Sequence, residues 1–185
     1  MNKKEARREA LERRAALSDE YRKEASHVIA QKLRKEKSWK NASSVFMYYG
    51  YKDEVETREL IDAAVAEGKK VCLPKVISDE KMVFIEISSA DDLRNGAYGI
   101  PEPVYTETGI FTGKPELVIM PCVALDRRGN RAGHGRGYYD RFLSGMKDVP
   151  LVCLAYDCQI LDSIETDDRD VRMDIMITEK ETIRQ

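Results

Sequence analysis

The sequence predicts an α/β protein: a three-layer α/β/α domain around a mostly parallel, Rossmann-like sheet. Three observations carry that expectation. Short apolar runs of four to six residues recur along the chain, the pattern of strands buried on both faces. Helical stretches separate them, and a repeated β-α-β order builds a layered domain. The length of 185 residues suits one domain with a real core and is short for two. The expected organisation is a single domain over 1–185, with residues 1–37 as an N-terminal helical segment packed on it.

The elements follow in order. Residues 3–17 are rich in alanine, leucine, glutamate and arginine and lack glycine and proline, which predicts a helix. Ser18 and Asp19 are good N-cap residues for a second helix running to about Lys37. "SSVFMYYG" is a β-rich run ended by glycine, and "TRELIDAAVAEG" is a helix with Thr57 as N-cap and Gly68 as its stop. "KKVCLP", "KMVFIEI" and "PELVIMPCVAL" are further strands. "GYYDRFLSGM" reads as a helix, and "VPLVCLAY" and "VRMDIMIT" complete the strand set. Residues 88–116, containing "NGAYGIPEPVYTETG", read as a long ordered loop. There is no internal repeat and no low-complexity tract.

Composition narrows the classes. Hydrophobic residues make up 42% and charged residues 35%, a soluble balance with a heavily charged surface. The net charge of -2 names no partner. No apolar run is long enough to span a membrane, and the N-terminus lacks a secretory apolar core, so a cytoplasmic location is expected. Cys72, Cys122, Cys153 and Cys158 form no Cys-x-x-Cys pair, which disfavours zinc and reads as reduced thiols.

The most informative stretch is "ALDRRGNRAGHGRGYYDRF", residues 124–142. In an open α/β sheet, ligands bind beyond the carboxyl ends of the strands, where this segment falls. Glycines allow positive φ and close approach of the backbone to a phosphate. The N–H groups of the helix beginning near Gly137 favour an anion. Arg131 and Arg136 offer bidentate contacts, and Asp140, on the first turn, is placed to hold magnesium. The segment is neither a P-loop nor Gly-x-Gly-x-x-Gly. The alternatives are a glycine-rich turn with solvated arginines, and an Asp140 that only stabilises the helix dipole.

Other residues carry similar pairs of readings. Lys3, Arg7 and Arg14 share a helix face, as a solvated stripe or a nucleic-acid contact, the second disfavoured by the glutamates between them and by a chain that is not basic overall. His27 reads as a surface residue, while His134 faces phosphate or moves a proton. Glu54 and Glu56 lie at the carboxyl edge, functional or solvated. Tyr48, Tyr49 and Tyr51 form an aromatic wall for a ring ligand or fill ordinary positions.

Together, "AGHGRGYYDRFL", the N-terminal helix with Lys3 and Arg7, "DEVET" at 53–57, "GIPEP" at 99–103 and "DRDVRMDIMIT" resemble the 5-formyltetrahydrofolate cyclo-ligase (methenyltetrahydrofolate synthetase) family, in order along essentially the whole chain. The resemblance implies ATP- and magnesium-dependent closure of 5-formyltetrahydrofolate to 5,10-methenyltetrahydrofolate, releasing ADP and phosphate through a phosphorylated formyl oxygen. It implies ATP contacts at Lys3, Arg7 and Arg131 and along Gly133, His134, Gly135, Arg136, Gly137, Tyr138 and Tyr139. It places magnesium carboxylates at Asp140 and Asp170, and folate contacts at Tyr49, Glu54 and Tyr138. The expected catalytic set is Arg131, His134, Arg136 and Asp140. The expected partners are ATP and 5-formyltetrahydrofolate, with no nucleic acid and no membrane, for a monomer. Departures are Arg136 where lysine is usual, Ala132 where a larger aliphatic is common, Cys122 after Pro121 where glycine is frequent, and Arg169 before Asp170 where histidine is common. Two rival readings remain: a sugar-phosphate-type enzyme on a similar scaffold, separated by folate-dependent ADP release, and a non-catalytic nucleotide- or folate-binding protein, separated by the absorbance of the methenyl product.

Overall fold

The computed structural model describes residues 1–96 and 99–185. Helix α1 (Lys3–Ala15) starts at a capping box in which Asn2 accepts from Glu5 N–H and Glu5 reaches back to Asn2 N–H. Helix α2 (Asp19–Lys35) is capped by Ser18, as expected, and breaks at Glu36 into the short α3 (Lys37–Asn41). The chain continues through β1 (Ser44–Phe46), α4 (Arg58–Ala66), β2 (Lys70–Val76) and β3 (Met82–Ile87). Strands β4 (Arg94–Asn95) and β5 (Pro101–Glu102) pair within the segment expected as a loop; Ala97 and Tyr98 of that segment lie outside the described residues. Then come β6 (Leu117–Met120), β7 (Ala124–Asp126), β8 (Arg131–Ala132), α5 (Tyr138–Leu143), β9 (Leu151–Leu154), β10 (Ile160–Leu161), β11 (Ile175–Ile177) and β12 (Thr182–Arg184).

The main sheet has seven strands in the order β12-β11-β9-β6-β1-β2-β3. The five inner strands run parallel. Each outer strand is antiparallel to its neighbour. "KMVFIEI" is therefore the return arm of a hairpin rather than a parallel strand. "PELVIMPCVAL" is also not one strand. It ends in the main sheet at Met120 and, past Pro121, re-enters as β7 in a small second sheet, β10-β7-β8. Proline has no N–H for the ladder, so a central strand stops there.

Burial on both faces of the inner strands follows from their alternation. Val45, Leu117, Ile119, Val152 and Leu154 face the core under α2, α3 and α4. Phe46, Val118, Met120, Leu151 and Cys153 face the core under α5. Adjacent residues thus serve opposite layers. Helix α1 packs elsewhere. Its Ala6 and Ala10 join Val123, Ala124, Ala132, Leu161 and Ile164, so their small side chains let it lie close on the second sheet.

From β1 the chain crosses through α4 to β2 on one side, whereas β6 lies on the other. The strand order reverses between β1 and β6, and the crevice beyond their carboxyl ends is where such sheets take ligands.

Candidate active site

A cavity of about 1440 Å³ opens at that crevice. A single small ligand usually occupies roughly 300–1,000 Å³, so this one has room for two. All the residues to which the resemblance assigns a contact line it: Lys3, Arg7, Tyr49, Glu54, Arg131, the loop from Gly133 to Tyr139, Asp140 and Asp170.

The glycine loop is built as its composition suggests. Gly135 has φ 90° and Gly137 has φ 68°, values that favour glycine. Gly137 leads into α5, and Asp140 lies in the first turn. Helix α5 is only six residues long, shorter than "GYYDRFLSGM" suggested, so loop backbone and side-chain charge must do most of any anion binding. Tyr138 donates to the Ser78 carbonyl (3.2 Å) and Arg141 to that of Glu80 (3.0 Å), which ties α5 to the β2–β3 turn.

Arg131 is a buried cation. Its side chain is 4% exposed, Nη2 donates to Asp140 Oδ1 at 3.1 Å and Nη1 to the Pro121 carbonyl at 3.3 Å. Its guanidinium lies 5.9 Å from the Tyr139 ring centroid, a cation–π distance. Asp140 is therefore neither a lone dipole partner nor a solvated carboxylate. Tyr139 packs into the core against Phe84, and burial pushes its hydroxyl well above the ordinary tyrosine range; it supports Arg131 from beneath. Arg131 itself is fixed by the β7–β8 hairpin, whose buried Asp126 accepts from the N–H groups of Arg128, Asn130 and Ile164.

Helix α1 brings three cations from one face to three parts of the wall. Lys3 Nζ sits 2.5 Å from both oxygens of Asp170 and 3.6 Å from Asp167. Arg7 Nε donates to the Gly133 carbonyl at 2.6 Å. Arg14 Nη2 donates to Asp53 Oδ1 at 2.9 Å. The stripe is thus a clasp, and Arg14, expected on a stripe facing solvent or nucleic acid, is buried. Lys3 and Asp170, assigned separately to ATP and metal, neutralise each other here.

The facing wall comes from the turn after β1. Glu54 is 14% exposed, and its Oε2 accepts the Tyr51 N–H at 3.1 Å. Burial raises its carboxyl above the usual range, opposed by the Tyr51 N–H and by Arg14. Glu56 points outward and is exposed. Thr57 stands at the N-cap of α4 without a side-chain cap. Its hydroxyl donates instead to the Tyr48 carbonyl and accepts from Gly50 N–H, closing the turn. Of the tyrosines, Tyr48 is buried and Tyr49 and Tyr51 are half-buried in the wall. His134 meets Glu54 across the cavity, Nε2 to Oε1 3.8 Å. Partial burial, then the guanidinium of Arg14, holds its imidazole below the ordinary histidine range, with Arg131 and Arg7 adding to the effect. His27 is far from this site, exposed and paired with Glu59.

Sequence reasoning missed Asp53, Asp167, Ser26 and Tyr156. Tyr156 donates to the Glu54 carbonyl (3.1 Å) and lies 3.1 Å from Ser26 Oγ, which accepts Glu56 N–H. These contacts join residues far apart in sequence, and no local pattern announces them.

Comparisons with known proteins match both the sequence and the fold. The sequence model of the 5-formyltetrahydrofolate cyclo-ligase family matches residues 1–179. A probable 5-formyltetrahydrofolate cyclo-ligase of Schizosaccharomyces pombe is 31% identical over 194 aligned positions, covering 92% of this chain and 95% of that one. Among solved structures, the 5,10-methenyltetrahydrofolate synthetase of Aquifex aeolicus superposes with a TM-score of 0.85 at 32% identity, covering 98% of this chain and 92% of that one. That of Mycoplasma pneumoniae gives 0.77 at 25% identity, covering 97% and 99%. With the match running over nearly the whole chain, the protein belongs to the 5-formyltetrahydrofolate cyclo-ligase family.

Proposed function

We propose that this ligase closes 5-formyltetrahydrofolate to 5,10-methenyltetrahydrofolate at the expense of ATP, releasing ADP and phosphate. The observation that carries the reading is the two-sided cavity. One wall offers a glycine loop with Lys3, Arg7 and Arg136, suited to phosphates. The other offers Tyr49, Tyr51 and the half-buried carboxylate of Glu54, suited to a flat ring with N–H donors. His134 and Glu54 mark where the walls meet.

A formamide is a poor electrophile with a poor leaving group. In the proposed reaction its oxygen takes the γ-phosphoryl group, ADP departs, and an iminium phosphate results. N10 then attacks the activated carbon, the C–O bond breaks, phosphate leaves, and N10 gives up its proton. The protein's task is to hold the formyl oxygen and γ-phosphorus in line and to neutralise the transferring group. A neutral imidazole keeps a lone pair, so His134 suits the N10 proton.

Magnesium, when bound, supplies charge neutralisation between the phosphates. It takes oxygen ligands, often one or two carboxylates plus phosphate. Asp140 fits: its carboxylate is 27% exposed on the cavity wall, with Arg131 donating to Oδ1. Asp170 fits once it exchanges Lys3, because both its oxygens accept from that ammonium and Oδ2 also accepts Asp167 N–H. Among the described residues no group of three or more His, Cys, Asp or Glu side chains gathers as a cage, so substrate phosphates would complete the coordination.

The direct test is the absorbance gain of the methenyl product, with and without ATP and magnesium. No gain, or ADP release that ignores the folate, overturns the reading. Glu54→Gln is expected to weaken 5-formyltetrahydrofolate binding about 10–100-fold, the scale of a hydrogen bond to a charged group, with ATP affinity nearly intact by calorimetry. The pH dependence has a definite sign. Because burial raises the Glu54 carboxyl, its ionised form is lost at a higher pH than for an ordinary glutamate. The KM for the folate therefore climbs early on the acid side, and this limb disappears in Glu54→Gln.

A further inference from the structure

We infer that Arg14 is a further positioning residue for the substrate side of the cavity, holding through Asp53 the turn that presents Glu54. The inference rests on the reading of Glu54 as a folate ligand.

Arg14 continues the buried face of α1 marked by Ala6 and Ala10, so the helix directs it inward. Its side chain is 4% exposed. Nη2 is bound to Asp53, while Nε and Nη1 are buried with no hydrogen-bond partner among the described residues. Burying a guanidinium this incompletely satisfied is costly. A residue serving only helix propensity or solubility would leave its charge in water, so the position calls for a use of that charge.

The use lies in the turn it touches. The turn is closed from within by Tyr51 N–H to Glu54 Oε2 and Glu54 N–H to the Tyr51 carbonyl, both 3.1 Å. Tyr156 and Ser26 hold the backbone at Glu54 and Glu56. Arg14 supplies the hold at Asp53. Its positive charge also favours the ionised form of Glu54 against burial and the neutral form of His134. The same helix carries Lys3 and Arg7 to the phosphate side, so α1 spans both walls.

The test is calorimetry on the full-length chain with 5-formyltetrahydrofolate and, separately, a non-hydrolysable ATP analogue. The variants are Arg14→Gln, Arg14→Lys, Asp53→Asn, Glu54→Gln and the double variant of Arg14→Gln with Glu54→Gln. Arg14→Gln is expected to weaken the folate about tenfold and the ATP analogue by less than about twofold, with Arg14→Lys recovering part of the loss. Because both residues act through one carboxylate, the double variant should bind the folate within about twofold of Glu54→Gln alone. Equal losses for both ligands, additive losses in the double variant, or unchanged folate affinity each overturn the inference. Should Arg14→Gln fail to fold, Asp53→Asn decides in its place, since it removes the negative charge that Arg14 pairs with and leaves the arginine. Unchanged folate affinity in Glu54→Gln sinks the substrate reading itself; a loss there with none in Arg14→Gln or Asp53→Asn sinks only the positioning role.

Discussion

Asp140→Asn is expected to lower turnover by about 10²–10³-fold while the protein still folds and still binds 5-formyltetrahydrofolate. Asparagine keeps the shape of the side chain and an oxygen that can accept from Arg131, so the bond at 3.1 Å can survive as a neutral-acceptor contact. What it lacks is the negative charge that magnesium needs beside two phosphates. The proposed metal would sit poorly, and charge developing on the transferred group would go under-stabilised. Stability should fall as well, by about 1 kcal/mol, because Arg131 is a buried cation whose counter-charge is removed. A carboxylate with a purely structural role gives the reverse balance: a lowered Tm with near-normal turnover. Turnover across a magnesium titration, with a melting curve on the same preparation, separates the two. Near-wild-type turnover with unchanged magnesium dependence would rule out the metal role.

The parts of the molecule legible in the sequence are those whose physics is local. The inner strands of the parallel sheet are apolar on both faces, so "LVIM" and "LVCL" declare themselves; both are fully buried. The glycine loop is legible because glycine permits its backbone and arginine its charge within a few positions. Edge strands are harder. Strand β12, Thr182–Arg184, is half-polar and carries no strand signal, since an edge needs only one pairing and little burial. The break at Pro121 was visible as a proline but not as a change of sheet, which depends on where β10 and β8 lie. Contacts across the fold are hardest. Lys3 and Asp170 are 167 residues apart in sequence, Arg14 and Asp53 39. Helical spacing gave a common face for Lys3, Arg7 and Arg14 but not that α1 folds onto the second sheet, so the burial of Arg14 stayed hidden. Only family resemblance points to the roles proposed for Lys3, Arg7 and Glu54, which spacing alone leaves open.

Arg131→Ala carries the other large effect, and burial changes its meaning. At 4% exposure, Arg131 has little surface to offer a phosphate directly. Its two terminal nitrogens are committed to Asp140 and to the Pro121 carbonyl, joining the end of β6 to the first turn of α5. Its main contribution should therefore pass through Asp140. Truncation leaves a void, an unpaired carboxylate and the Tyr139 ring without its cation, and it is expected to cost about 3 kcal/mol of stability and about 10²-fold or more in turnover. Arg131→Lys keeps the charge but not the planar fork, so it can serve one partner and not both; it should regain stability more fully than activity. The decisive measurement is the double variant with Asp140→Asn. If Arg131 acts by holding that carboxylate, the pair together should lose little more turnover than Asp140→Asn alone, because residues acting as a unit are far from additive. Multiplying losses would instead show an independent contact of Arg131 with ATP, and the ATP-analogue affinity of Arg131→Ala, measured beside its folate affinity, would then fall on its own.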